Sequence, residues 1–125
     1  MINILLLMIL AHIIDDFVLQ TTCLSQMKQE SWWLNHKEYK PMYRNDYVMA
    51  LLIHSMSWSI MILLPIIFLL ETPQISILTA FGINTIIHCI IDDLKANRGK
   101  LSLIQDQTIH LIQIIITWLT LVLWI

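Results

Sequence analysis

Residues 11–20 read Ala-His-Ile-Ile-Asp-Asp-Phe-Val-Leu-Gln, and the fold depends on how this stretch is accommodated. It continues an apolar N-terminal segment that resembles a membrane helix, yet it contains His12, Asp15 and Asp16. A charged side chain at the centre of a membrane helix costs roughly 2.5 to 3.5 kcal/mol on insertion scales. A chain that retains such residues must offset the cost with ion pairing, water or metal binding, so the polar residues carry the hypothesis about function.

The composition is typical of an integral membrane protein. Of the 125 residues, 58% are hydrophobic and 13% are charged, and the mean hydropathy is +0.73. Soluble domains contain about 25% charged residues. The formal net charge of -2 and the lack of a basic patch argue against binding of nucleic acid. Cys23 and Cys89 do not suggest a disulfide framework, and we interpret both as small packing residues.

Four segments are predicted to form membrane helices, each needing about 20 mostly apolar residues. They cover residues 2–27, 47–70, 73–95 and 101–125 of a single domain 1–125, with a loop at 28–46. The first segment either continues as a helix through Asp15 and Asp16 or is re-entrant. Because no Gly or Pro interrupts it, we favour a continuous helix to Met27. The predicted fold is an all-α integral membrane four-helix bundle.

Basic residues predict how this bundle is oriented. They lie in two loops, as Lys28, Lys37, Lys40 and Arg44 and as Arg98 and Lys100. Cytoplasmic loops are enriched in Lys and Arg, so both loops are predicted to be cytoplasmic and both termini to lie on the other side. Trp32, Trp33 and Trp124 fit aromatic belts at the two membrane surfaces.

The polar residues are predicted to form one layer in the cytoplasmic half of the bilayer. The first and third helices run inward and carry their polar residues late, whereas the second and fourth run outward and carry them early. Spacings of four residues place side chains on one helix face. The three resulting stripes are His12, Asp16 and Gln20; Asn84, His88 and Asp92; and Asp106, His110, Gln113 and Thr117.

This layer contains the residue types with which helical bundles bind metals, namely carboxylates and histidines projecting inward from facing helices. The candidate ligands are His12, Asp16, His54, His88, Asp92, Asp106 and His110. Zinc is the favoured ion, with iron or manganese as alternatives, and the set could serve one or two ions. Asp15 and Asp93 lie about 100° round their helices and are predicted to pair with Lys95, Arg98 or the basic residues of the loop.

The motifs resemble those of a known family. Residues 11–20, His54 early in the second helix, His88-Cys-Ile-Ile-Asp92 and Asp106-Gln-Thr-Ile-His110 look like the small bacterial and phage membrane proteins grouped as domain of unknown function 3307. The resemblance covers nearly the whole chain. It implies a membrane bundle with these polar positions, in the inner or plasma membrane of a bacterium, and no established reaction. The family often has glycine between the first-helix His and Asp, where this chain has Asp15.

The favoured function is a metal-dependent, hydrolase-like membrane enzyme with an amphiphilic or anionic lipid substrate that it reaches from the cytoplasmic side. A bound metal would activate water near neutral pH. Asp16 or Asp106 would act as the general base, and Gln20 would orient water or substrate. The cations Lys28, Lys95, Arg98 and Lys100 would surround the mouth of the site and hold an anionic head group.

Two other interpretations stay open. A small proton- or ion-conducting, transporter or effector subunit could use the same layer, but it predicts polar residues through the full membrane, and Pro65–Leu70 is apolar. Alternatively the polar groups only join helices, yet such hydrogen bonds contribute about 0.6 kcal/mol on average, too little to retain several ionisable groups. Gln113, Thr117, Ser57 and Asn84 fit that joining role individually. A homo-oligomer is compatible with the sequence.

Overall fold

The computed structural model describes residues 1–36 and 40–122, and every regular element in those two ranges is helical. The first helix, α1, covers Ile2–Ile14 and continues directly into a π-helical turn, Asp15–Leu19. Two short helices follow, α2 at Thr22–Met27 and α3 at Glu30–Leu34, and then a 3₁₀ turn at Pro41–Tyr43. The long helices are α4 at Asp46–Leu69, α5 at Gln74–Ala96 and α6 at Leu103–Val122. The predicted all-α fold is confirmed for the described residues.

Three helical stretches are long and apolar enough to cross a membrane. They are Ile2–Leu19, Pro41–Leu69 and Gln74–Ala96, with mean hydropathies of 2.1, 2.0 and 1.6. The fourth expected span, in α6, is not among them within the described residues, because α6 carries Asp106, His110 and three glutamines. The last three residues of that expected span, 123–125, lie outside the described residues, as do Trp124 and Lys37.

The first segment differs from the expected continuous helix to Met27. The helix passes through Asp15 and Asp16 as predicted, but the Gln20 amide donates to Asp15 O at 2.9 Å, which closes a π-helical turn. Gln20 is then extended, with φ -68° and ψ 103°. Thr21 starts the new helix α2, since its side chain accepts a hydrogen bond from Leu24 N at 3.1 Å. The first helical segment therefore ends at Leu19 without a Gly or Pro, and the threonine cap begins α2 two residues later.

The predicted loop 28–46 contains α3 and is attached to the end of α5. Asn97 Nδ2 donates to Lys28 O at 3.0 Å, and Asn97 Oδ1 accepts from Glu30 N at 2.7 Å. Trp33 Nε1 donates to Met27 O at 2.8 Å, and its ring meets Trp32 edge-on at 4.9 Å between centroids. These contacts hold α2 and α3 across the ends of α4 and α5.

The four long helices, α1, α4, α5 and α6, form a ring in which α1 and α5 each pack against both α4 and α6. Their apolar core consists of Ile4, Met8, Trp58, Ile62, Leu63, Ile66, Ile114 and Leu121. Trp118 Nε1 donates to Met1 O at 3.3 Å, so the beginning of α1 lies beside the last turns of α6. The buried histidines and aspartates lie at the other end of the helices, where α1 and α5 finish and α4 and α6 begin.

Side chains on the outside of these helices are mainly apolar. Leu6, Phe68, Leu78 and Ile116 are each more than half exposed, whereas His12, Asp15, His54 and Asp92 are buried. Soluble proteins show the opposite arrangement, with charged groups outside and apolar groups inside. The four long helices therefore enclose a polar layer within an apolar exterior.

A hydrogen-bonded polar cluster lies further along the helices. Asn84 Nδ2 donates to Thr117 Oγ1 at 3.0 Å, and Gln113 Nε2 donates to Asn84 Oδ1 at 2.8 Å. These contacts join α5 to α6, the role predicted for the three residues. Ser57, predicted to act in the same way, instead donates to Asp15 Oδ1 at 2.6 Å.

Candidate metal centre

Two overlapping groups of side chains at the polar end have the arrangement of metal ligands. Asp16, His54 and His88 form the first group, and His88, Asp92 and His110 form the second. In each group the potential ligand atoms, one from each residue, all lie within 4.8 Å of one another. The π-helical turn and the helices α4, α5 and α6 all contribute. His88 belongs to both groups and is therefore central to the site.

The ligand atoms lie too far apart for strong hydrogen bonds. His110 Nε2 is 3.5 Å and His88 Nε2 is 3.7 Å from Asp92 Oδ1, and His54 Nε2 is 3.6 Å from Asp16 Oδ1. Hydrogen bonds between nitrogen and oxygen measure about 2.7–3.2 Å. Two ligands on a tetrahedral zinc ion, each about 2.0–2.1 Å from it, lie roughly 3.4 Å apart. The observed separations suit ligands that share an ion.

Several atoms of the site have no hydrogen-bond partner among the described residues. They include both ring nitrogens of His88, both of His110, Asp16 Oδ1 and Asp106 Oδ1. Both histidines are fully buried. Leaving a buried polar atom without a partner costs about 1–3 kcal/mol, and native proteins rarely do so. Metal coordination would satisfy one nitrogen of each ring.

Trp58 packs against the histidines and was not singled out from the sequence. Its indole stacks on the His88 ring, with centroids 4.3 Å apart and planes inclined by 24°. The His88 ring also contacts the His110 ring, with centroids 4.1 Å apart and planes inclined by 28°. Trp58 lies four residues after His54, so it shares a face of α4 with that histidine. This spacing was the available signal, and the stack restricts how the His88 ring can turn.

His12 lies in the site but is held by hydrogen bonds on both sides. Trp58 Nε1 donates to His12 Nδ1 at 2.8 Å. An indole nitrogen can only donate, so the ring proton of neutral His12 must be on Nε2. That nitrogen donates to Gln107 Oε1 at 3.1 Å. His12 belongs to neither ligand group, although it is one of the predicted metal ligands.

The side-chain amide of Gln107, oriented by His12, also hydrogen-bonds to two carboxylates. Since its Oε1 accepts from His12, its Nε2 faces Asp16 Oδ2 at 3.2 Å and Asp106 Oδ2 at 3.1 Å. Asp106 Oδ1 lies 3.3 Å from His110 Nε2, so Asp106 adjoins the second ligand group. The amide fixes one oxygen of each carboxylate and leaves the other oxygen directed at a histidine.

Two lysines also enter the site. Lys28 is buried, and its Nζ lies 2.5 Å from Asp92 Oδ2 and 3.0 Å from Gln20 Oε1. Lys95 Nζ donates to Asp106 Oδ2 at 2.6 Å. The break at Gln20 allows α2 to place Lys28 here, whereas the sequence had indicated only a position at the mouth. Each lysine neutralises an aspartate next to the histidines.

Asp15 is buried, and among the described residues it pairs with neither Lys95 nor Arg98 nor a basic residue of the loop, so that prediction is wrong for them. It accepts a hydrogen bond from Ser57, and its Oδ2 lies 3.7 Å from His54 Nδ1. The wider π-helical turn lets both neighbouring aspartates face inward, which a regular α-helix does not. Asp93 forms its expected ion pair, with Arg98 Nε 2.8 Å from Asp93 Oδ2.

A cavity of about 420 Å³ reaches the site from the end of the helices at which α2 lies. Its lining includes Asp16, Gln20, Lys28, His54, Asp92 and Lys95. Two of the three predicted catalytic residues, Asp16 and Gln20, therefore face this cavity. The third, Asp106, is fully buried beside His110.

The fold and the site together define an all-helical protein with an apolar exterior and a buried layer of histidine and aspartate. The family model described as "Protein of unknown function (DUF3307)" matches residues 4–124. The chain therefore belongs to this family, and the resemblance seen in its motifs is confirmed. No curated protein and no solved structure matches the chain.

Proposed function

We propose that this protein is a membrane-embedded, metal-dependent enzyme of hydrolase type, acting from the cytoplasmic side on an amphiphilic or membrane-adjacent substrate. The observation that carries the proposal is the pair of fully buried rings, His88 and His110, whose four nitrogens have no hydrogen-bond partner among the described residues. Asp92 lies 3.5–3.7 Å from one nitrogen of each ring. Two imidazoles and a carboxylate are a frequent ligand set of catalytic zinc.

Membrane insertion as a four-helix bundle is supported by the distribution of side chains. Three stretches are long and apolar enough to span, and their outer faces are rich in Leu and Ile. A contiguous exposed apolar surface of this size is typical of a protein in lipid. The basic residues Lys40, Arg44, Arg98 and Lys100 lie near the polar end, which favours a cytoplasmic position for that end. Both termini would then face the opposite side of a bacterial inner or plasma membrane.

Zinc suits the mixed imidazole and carboxylate ligands, and iron or manganese would also bind them. One ion would fit the group formed by His88, Asp92 and His110. A second ion at Asp16 and His54 would require both ring nitrogens of His88, one for each ion. Hydrogen bonds to metal-bound carboxylates tune a site, and here Gln107 would supply one to Asp16, while Trp58 would orient the His12 ring that donates to Gln107.

The cavity gives the site an entrance from the polar end. Within it, Asp16 is the candidate general base, because Gln107 holds its Oδ2 and its Oδ1 has no hydrogen-bond partner among the described residues. Gln20, held by Lys28, would orient water or substrate. The metal would supply activated water, and Lys28 and Lys95 would attract an anionic head group. Asp106 is fully buried and does not line the cavity, so Asp16 is better placed to act as the base.

Conduction of protons or ions, or a transporter or effector role, is the alternative. It requires a polar route along the whole bundle, whereas the helices beyond the Asn84 cluster pack through Ile62, Ile66 and Leu121. This apolar cluster closes the layer on the far side and favours a site with a single entrance.

Elemental analysis tests the proposal. The protein, purified in mild detergent without chelator or His-tag, is expected to contain near-stoichiometric zinc, iron or manganese. A His88→Ala/His110→Ala variant should lose it, whereas the control His36→Ala, which removes an exposed histidine outside the groups, should retain it. Metal-free wild-type protein that also fails to bind added zinc would refute the metal centre. Measurement of proton flux in liposomes would then test the alternative.

A further inference from the structure

The four cations that were predicted to surround the entrance of one site lie in two separate cavities. Lys28 and Lys95 line the cavity at the metal centre, whereas Arg98 and Lys100 line a second cavity of about 390 Å³ between α4 and α5. The two cavities share no lining residue. They lie on different faces of α5, so the second cavity is separate from the metal centre.

The second cavity has an apolar wall and a basic rim. Val48 and Leu51 of α4 face Ile90 and Leu94 of α5. Arg98 and Lys100 lie just after the end of α5 and Tyr47 at the beginning of α4, and the rim also contains one acidic residue, Asp93, which pairs with Arg98. Val48 and Ile90 are 47% and 54% exposed, so the wall is continuous with the apolar exterior of the helices.

The end of α5 positions the basic rim. Gly99 has φ +57°, a conformation that glycine adopts readily, and Lys100 N donates to Leu94 O at 2.9 Å. This hydrogen bond closes the end of α5 and folds Lys100 back beside the helix. Asp93 accepts from Arg98 Nε at 2.8 Å, which orients the guanidinium and raises the pKa of Arg98. The terminal guanidinium nitrogens are not part of that hydrogen bond.

We propose that this cavity binds an anionic phospholipid, with its phosphate at Arg98 and Lys100 and an acyl chain along Val48 and Ile90. The inference rests on the proposed membrane insertion, but it does not depend on the metal centre. Guanidinium groups match the geometry of phosphate oxygens. Basic pockets between helices at the cytoplasmic surface bind anionic head groups. The apolar wall specifies a lipid rather than a free anion, because a phosphate alone would leave that wall uncovered.

Native mass spectrometry of the detergent-purified protein, titrated with phosphatidylglycerol or phosphatidylcholine, tests the inference. Wild type should retain phosphatidylglycerol in preference. Arg98→Gln/Lys100→Gln should lower its affinity roughly tenfold or more and leave the weak binding of phosphatidylcholine unchanged. The matched control, Lys40→Gln/Arg44→Gln, removes the same charge from exposed positions outside the cavity and should behave as wild type. Val48→Trp should fill the cavity and weaken binding with all charges retained.

Equal losses in the two charge variants would overturn the inference in favour of diffuse electrostatic attraction. Displacement of the lipid by millimolar inorganic phosphate would also overturn it, in favour of a free-anion site. So would full binding by Val48→Trp. Metal content is measured on the same samples: a metal-free protein that still prefers phosphatidylglycerol would refute the proposed enzyme and leave the lipid site standing.

Discussion

The two ends of the same four helices are both buried but are built from different chemistry. At one end Ile62, Ile66 and Leu121 pack together in the apolar core. At the other, His88 and His110 are equally buried, yet their ring nitrogens have no hydrogen-bond partner among the described residues. Apolar packing stabilises a fold without a ligand, whereas buried unpaired imidazoles destabilise it unless something binds them. One end of the helices is therefore held together by apolar packing, whereas the other end contains buried polar atoms that a ligand would have to satisfy.

Removal of His88, which belongs to both ligand groups, is expected to have the largest effect on the polar end. In His88→Ala we expect bound metal to fall to background, and the melting temperature should no longer respond to chelator. A ligand present at 1,000 times its Kd stabilises the native state by about 4 kcal/mol, and this contribution would be lost. Elemental analysis and thermal unfolding with and without EDTA measure both effects.

Asn84→Ala is the matched control, because Asn84 lies one turn earlier on the same face of α5 and is hydrogen-bonded to Thr117. It should unfold at a lower temperature but keep its metal and its response to chelator. If His88→Ala and Asn84→Ala behaved alike, the polar layer would serve only to join the helices.

The apolar end should respond in the opposite way. Ile62 is fully buried in the apolar core, and Ile62→Ala should destabilise the protein by about 2–5 kcal/mol through the lost side chain and the cavity left behind. Bound metal should stay at the wild-type level. Exposed Ile60→Ala on the same helix, at 47% exposure, is expected to change stability far less. Metal loss in Ile62→Ala at temperatures where the variant is folded would show that the two ends are coupled.

Gln107 tests whether the hydrogen bonds around the ligands matter. Gln107→Ala should weaken metal binding about 10- to 100-fold, because the amide orients both Asp16 and Asp106. The exposed neighbour Thr108→Ala should bind metal as wild type does. Competition with a zinc chelator of known affinity measures the change. An unaltered affinity in Gln107→Ala would mean that the carboxylates hold their positions without the amide.

How much of this could be predicted depends on whether a feature is local. The helices and the four-residue spacing of His88 and Asp92 can be predicted because period and hydropathy are local properties. The π-helical turn that brings Asp15 inward is different, since it depends on Ser57 and His54 of another helix. The position of Lys28 likewise depends on the break at Gln20. Long-range partners decide these details, and a single sequence does not contain them.

The smallest effect is expected at Asp15, and it decides whether this aspartate belongs to the metal site. Its Oδ1 accepts from Ser57, and Asp15 belongs to neither ligand group. Asp15→Asn should therefore change metal affinity by roughly threefold or less, about 0.7 kcal/mol. The family resemblance points the same way, because glycine is often found at this position. The neighbouring variant Asp16→Asn removes a ligand-group carboxylate and should weaken binding much more. Equal losses in the two variants would place Asp15 among the ligands and extend the site to both aspartates of the π-helical turn.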